Sequence, residues 1–184
     1  MTRTTAASAA CFAIAAVAAA QPLPHYDIYR AVSPVVIDAR LNEPAWRQAP
    51  PTGAFHFNWW KEGEKEPTLA RMVWDDKNLY VSFLCRDRHI SARITERHGP
   101  VSNDDCVEIF LDPPGDSYFH FGANSGDGSY DAQATNSAWD SGWLVAAHRG
   151  ERSYVVEAAI PLEPMGATAE GDWRANFTRH RPAA

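Results

Sequence analysis

Asn103-Asp104-Asp105-Cys106-Val107-Glu108-Ile109-Phe110-Leu111-Asp112 decides how this chain reads. Val107, Ile109 and Leu111 alternate with Cys106, Glu108 and Phe110, a period of two that belongs to a strand with one buried face. Side chains two apart share a face, so Glu108 points away from the core, toward a surface shared with Asp104 and Cys106. The next segment repeats the pattern: Phe119 and Phe121 turn inward while Tyr118, His120, Gly122 and Asn124 turn outward.

Working outward, Leu79, Val81, Phe83 and Cys85 alternate with Tyr80, Ser82, Leu84 and Arg86. Further strands are predicted at 35–38, 69–74, 118–124, 143–148, 154–160 and 174–179. Asp75-Asp76-Lys77-Asn78 reads as a hairpin turn and Asp112-Pro113-Pro114-Gly115-Asp116 as a second reversal. Gly126-Asp127-Gly128 loosens the chain after Asn124. Helix is confined to one turn at Asn42-Glu43-Pro44-Ala45-Trp46, with Trp46 as its anchor into the core. Many short strands, Gly/Pro-rich turns and almost no helical periodicity predict an all-β fold, an antiparallel β-sandwich of jelly-roll-like type.

Arg3, the apolar stretch 9–19 and the Ala18-Ala19-Ala20 cleavage pattern read residues 1–20 as a signal peptide, hence export to the periplasm or the extracellular space. That run is shorter than the roughly 20 residues a membrane-crossing helix needs, and Pro22 and Pro24 end it, so no membrane span is expected in the mature chain. Residues 21–34 read as a linker and 35–184 as one domain. The net charge is -6 with acids and bases interspersed, which argues against nucleic acid as a partner. Cys85 and Cys106 have two readings: a disulfide closing a loop of about 20 residues, worth roughly 3 kcal/mol, or two buried thiols. Seven histidines never fall into a metal-ligand spacing, and no nucleophile elbow, P-loop or dinucleotide fingerprint occurs.

Five segments in order carry a resemblance: 37–46 (IDARLNEPAW), 75–81 (DDKNLYV), 103–112 (NDDCVEIFLD), 157–161 (EAAIP) and 173–177 (WRANF). Together they are similar to the family 9 carbohydrate-binding modules. The resemblance implies a two-sheet sandwich, often with structural calcium, appended to xylanases and other polysaccharide-degrading enzymes, with oligosaccharide or polysaccharide as partner. It places a sugar-binding polar group on Glu108. His120 and Asn124 are further candidates on the same face. Two tryptophans clamp the sugar in such modules. Here Ser102 stands where the first is expected, and the second belongs to a segment beyond the strand beginning at Trp173, which also supplies a last strand; an open sheet edge is therefore expected. Trp59, Trp60 and Trp139 are the candidate replacement platforms, and Asp104 and Asp105 the candidate calcium ligands. Trp46, Trp74, Trp143 and Trp173 are assigned to packing.

Two other roles remain open at this stage. One is a sandwich kept for protein contacts. The other is a glycoside hydrolase, against which the spacing of Asp104 and Glu108 counts: four residues of strand put them about 13 Å apart, beyond the roughly 5 to 9.5 Å that paired carboxylates need.

Overall fold

The computed structural model describes residues 23–55, 66–115 and 117–182. Nine strands are described: β1 (Tyr29–Arg30), β2 (Thr68–Trp74), β3 (Asn78–Arg86), β4 (Cys106–Asp112), β5 (Phe119–Asn124), β6 (Ser129–Gln133), β7 (Leu144–Arg149), β8 (Ser153–Pro161) and β9 (Arg174–His180). A short helix, α1 (Pro44–Gln48), is the one α-helix among these residues. One sheet runs β1-β2-β3-β8-β7 and the other β6-β5-β4-β9. All pairings are antiparallel except β1 with β2. The chain is an all-β sandwich, as the alternation predicts.

The inter-sheet core takes Ala70, Met72, Leu79, Val81, Phe83 and Cys85 from one sheet and Val107, Ile109, Leu111, Phe119, Phe121 and Ala123 from the other. These are the inward parities of the sequence pattern. Removing their side chains from water supplies the main driving force, about 25 cal/mol per Å² of apolar surface.

The outer face of the five-stranded sheet is also covered. Ala45, Trp46 and Ala49 pack on Val73, Tyr80 and Ala159, with Val35, Ile37 and Leu41 around them. The predicted strand at 35–38 is therefore absent, and Trp46 anchors a second apolar layer rather than the inter-sheet core. Glu157, fully buried on β8, fixes this layer: it accepts hydrogen bonds from the backbone N–H of Asp38 (2.9 Å) and Ala39 (2.7 Å) and from Trp46 Nε1 (2.7 Å). Three donors explain how a carboxylate is tolerated there, although burial still pushes its pKa up.

Residues 21–34 were expected to be a linker. Over its described part the segment instead straps the sandwich: β1 pairs with β2, Ala31 N–H donates to Trp74 O (2.8 Å) and Trp74 Nε1 donates to Ile28 O (3.1 Å). An edge strand whose backbone groups need partners draws the segment in. The hairpin at Asp75 forms as read, with Asp75 Oδ1 accepting from the N–H groups of Lys77 and Asn78, both at 2.8 Å. β6 was not anticipated; its Ser, Asp and Gln residues hide the alternation.

With the outer face of the five-stranded sheet covered over β2, β3 and β8, the more open sheet face among the described residues is the outer face of β6-β5-β4-β9, and β9 forms an edge of that sheet among the described strands.

Candidate functional site

Strand register lines up the side chains of this face. Glu108 lies opposite Gly122 of β5 on one side and Thr178 of β9 on the other. Phe110 lies between His120 and Asn176, and Gly122 is followed outward by Tyr130 of β6.

Glu108 is the centre of the polar network. Its Oε1 is 3.2 Å from His120 Nε2, its Oε2 is 2.7 Å from His180 Nε2, and Thr178 Oγ1 donates to Oε2 at 2.9 Å. Burial raises the pKa of Glu108, but the hydrogen bonds from His120 and Thr178 and the charges of both histidines outweigh it, bringing the pKa down to about 2. An ionised carboxylate has no proton to give, so both imidazoles donate through Nε2–H, and in the neutral ring Nδ1 is then an acceptor. Exposure is graded across the group, with side chains 11% exposed at Glu108, 21% at His120 and 46% at His180.

An aromatic surface adjoins the acid. The His120 ring stacks on Phe110 at 4.1 Å between centroids and 14° between planes, and Tyr130 meets His120 edge-on at 5.2 Å. All three rings are partly exposed. Gly122 lets the loop before β4 approach: a Cβ there would sit 3.0 Å from Val101 Cγ2. The turn Val101–Asn103 therefore rests on β5 and places exposed Ser102 and Asn103 at the rim.

The structure brings Glu108 and His120 together as parity predicts. Asn124 leaves the set. It is fully buried, accepts from the N–H groups of Gly126 and Gly128 (both 3.0 Å), and donates to Ile94 O (2.6 Å) and Asp104 Oδ2 (3.0 Å), so its amide is consumed in holding two loops. Trp139 packs on Phe119 at 5.1 Å and Phe121 at 6.1 Å, capping the inter-sheet core rather than presenting a platform. Trp59 and Trp60 lie outside the described residues.

Asp104 and Asp105 do not fit calcium. Asp104 Oδ2 accepts from the N–H groups of Arg93 and Ile94, both at 2.7 Å; burial raises its pKa, but these bonds leave it lowered. Asp105 Oδ2 accepts from Ser91 N–H at 2.5 Å. Both are buried, with Oδ2 of each held by backbone donors and that of Asp104 by Asn124 as well, whereas calcium asks for six to eight converging oxygens. Among the described residues no group of three His, Cys, Asp or Glu side chains is disposed to hold a metal ion.

Of the two cysteine readings, the thiols prevail. Cys85 sits on β3 inside the sandwich, while Cys106 sits on β4 of the other sheet, on the face of Glu108 by strand parity. Both are buried and free, and burial pushes their pKa values up to about 11 and about 12.

His180, Thr178, Phe110 and Tyr130 escaped the sequence reading. The first two share the outward parity of β9; Thr178 lies inside the predicted strand 174–179, and His180 one residue beyond its end. Tyr130 needed β6 to be recognised. A separate cavity of about 480 Å³ opens between the sheets near β2 and β9, lined by Tyr26, Met72, Trp74, Leu162, Trp173 and Phe177. It lies on the core side of the four-stranded sheet and shares no residue with the Glu108 cluster, which has the convergent polar chemistry.

A family profile described as "Carbohydrate family 9 binding domain-like" matches residues 37–177. Exoglucanase XynX of Acetivibrio thermocellus is 29% identical over 133 residues, 68% of this chain and 11% of the relative. Endo-1,4-beta-xylanase A of Thermoanaerobacterium saccharolyticum is 28% identical over 146 residues, 74% of this chain and 12% of the relative. The chain thus spans about an eighth or less of these proteins. Among solved structures, a family 9 carbohydrate-binding module from Caldicellulosiruptor kristjanssonii in complex with glucose superposes with a TM-score of 0.64 at 19% identity, covering 84% of this chain and 78% of that one. The same source's module with cellotriose gives 0.61 at 18% identity, covering 84% and 76%. At these identities the likeness is one of fold.

Proposed function

Because the chain belongs to the carbohydrate family 9 binding domain-like family, we propose that it is an exported, non-catalytic module that binds a neutral saccharide on the outer face of β6-β5-β4-β9. The observation that carries this reading is the Glu108 cluster beside a stacked Phe110–His120 pair, on a sheet face that no other layer of the described residues covers. A pyranose has an apolar face suited to an aromatic ring and a rim of hydroxyls that need fixed acceptors. Glu108 offers about four lone-pair sites. Three are taken by His120, His180 and Thr178, which orient the carboxylate and leave one direction for a hydroxyl.

A β-linked gluco- or xylo-oligosaccharide is the ligand class we favour, supported by the glucose and cellotriose held by the related modules and by the xylanase and exoglucanase relatives. Export rests on the leader read in residues 1–20. Isothermal titration with glucose, cellotriose and xylotriose tests the proposal: we expect millimolar to micromolar binding that Glu108→Ala abolishes. A folded domain that binds nothing on a broad glycan array refutes it.

A second reading has two observations behind it, both made of the described residues. β9 is an edge of its sheet, and the Glu108 face carries no tryptophan among the described residues. Protein contact through that edge would show as concentration-dependent association in sedimentation velocity, with the Glu108 face silent toward sugars.

A further inference from the structure

Glu108 is held by two histidines from two different strands, and this arrangement has a consequence for how the site responds to acid. Resting on the carbohydrate reading above, we infer that His120 and His180 act as a proton gate on the glycan face, open when both imidazoles are neutral and progressively closed as they take up protons.

The geometry makes the two states chemically different. With the carboxylate ionised, each neutral imidazole spends its single N–H on Glu108, at 3.2 Å for His120 and 2.7 Å for His180. Each ring therefore offers Nδ1 to a ligand as an acceptor. Protonation places a hydrogen on Nδ1, so two acceptors become donors. Both Nε2–H contacts are already charge-assisted by the ionised carboxylate, and protonation makes each a bond between two full charges, which tightens the grip on the carboxylate a hydroxyl would have to share. The net charge of the trio changes from -1 to +1 as both rings charge. Histidine is the side chain whose charge changes between about pH 5 and 8.

Among the described residues no other group on this face competes for the role, Tyr118 beside His120 being a phenol like Tyr130. On β4, Cys106 is a buried thiol whose pKa lies near 12, and Asp112 pairs with Arg174 of β9 at 3.6 Å, at the far end of the strand. From β6, Tyr130 faces the cluster, and burial pushes its phenol up, out of the relevant range. From β5, Gly122 and the fully engaged Asn124 contribute no charge. The turn resting on β5 presents Val101, Ser102 and Asn103, none of which titrates. Carboxylates before β4, Asp104 and Asp105, are turned into the loop 91–94. The gate therefore belongs to His120 and His180, of which His180 is the more exposed.

The test is titration of the full chain with cellotriose at about pH 8 and about pH 5, with near-ultraviolet circular dichroism confirming the same fold at both. We expect affinity about fivefold weaker at the lower pH, as both Nδ1 acceptors are lost and the carboxylate is held by two charged partners. His180→Gln keeps an N–H donor toward Glu108 without titrating, so its profile should flatten; the double variant with His120→Gln should be flat. Should either variant fail to fold, the wild-type profile alone decides. Cellotriose bound equally at both pH values overturns the gate while leaving the carbohydrate reading intact. Cellotriose bound at neither pH removes the glucan reading and the gate with it.

Discussion

Replacing Glu108 by glutamine tests the electrostatics of the face without changing its shape. In the wild type the carboxylate titrates at about 2 in the folded state, against 4.5 without the fold's influence. An acid whose folded pKa is depressed stabilises the fold above its unfolded pKa, and that stabilisation is lost as pH falls through the folded value. The window for Glu108 is therefore about pH 4.5 down to about 2. At about 1.4 kcal/mol per pH unit the interval corresponds to about 3 kcal/mol, and about 2 kcal/mol is the better expectation because the neighbouring His180 is half exposed to solvent. Glutamine keeps one carbonyl oxygen for Thr178 or a histidine but carries no charge, so it lacks this pH-dependent share. Urea unfolding followed by tryptophan fluorescence at a series of pH values from about 6 to 2 measures it. The wild-type and Glu108→Gln stability curves should converge by about 2 kcal/mol as pH falls. Parallel curves, separated by a constant, would show that the three donors around Glu108 do not hold its charge and would refute the reasoning.

Three other outcomes follow from the same structure. Glu157→Ala strips three donors of their acceptor, the part-buried Asp38 N–H and the buried Ala39 N–H and Trp46 Nε1; at about 1–3 kcal/mol per buried orphaned donor, a loss of about 4 kcal/mol in chemical denaturation is expected. Gly122→Ala sets a methyl 3.0 Å from Val101 Cγ2, and should cost about 1–2 kcal/mol while displacing the turn at the rim of the face, visible as chemical-shift changes at Ser102 and Asn103. Cys85 and Cys106, buried with raised pKa values, should react with Ellman's reagent only on unfolding, and reducing agent should leave the thermal midpoint unchanged.

Period-two alternation is a local property, because successive strand side chains face opposite sides whatever the sheet packs against. That is why the sandwich, the inward set of Val107, Ile109, Leu111, Phe119 and Phe121, and the outward placement of Glu108 and His120 were legible from the sequence. Alternation says nothing about what lies beyond the outward side chains. It could not show that Asn124, outward by parity, would be sealed beneath the loops it bonds, nor that segment 35–49 would cover the outer face of one sheet over β2, β3 and β8. β6 went unread because its polar residues mask the period.

What the sequence determined by itself was which side of each strand a residue takes, since parity needs no partner. Which outward residues meet depended on tertiary structure: β9, some seventy residues after Glu108, brings Thr178 and His180 onto the same carboxylate by strand register. Register is a long-range pairing that places distant residues within hydrogen-bond reach, and no local spacing encodes it. The chemistry of this face, a carboxylate held charged between two imidazoles, exists only once those strands are side by side.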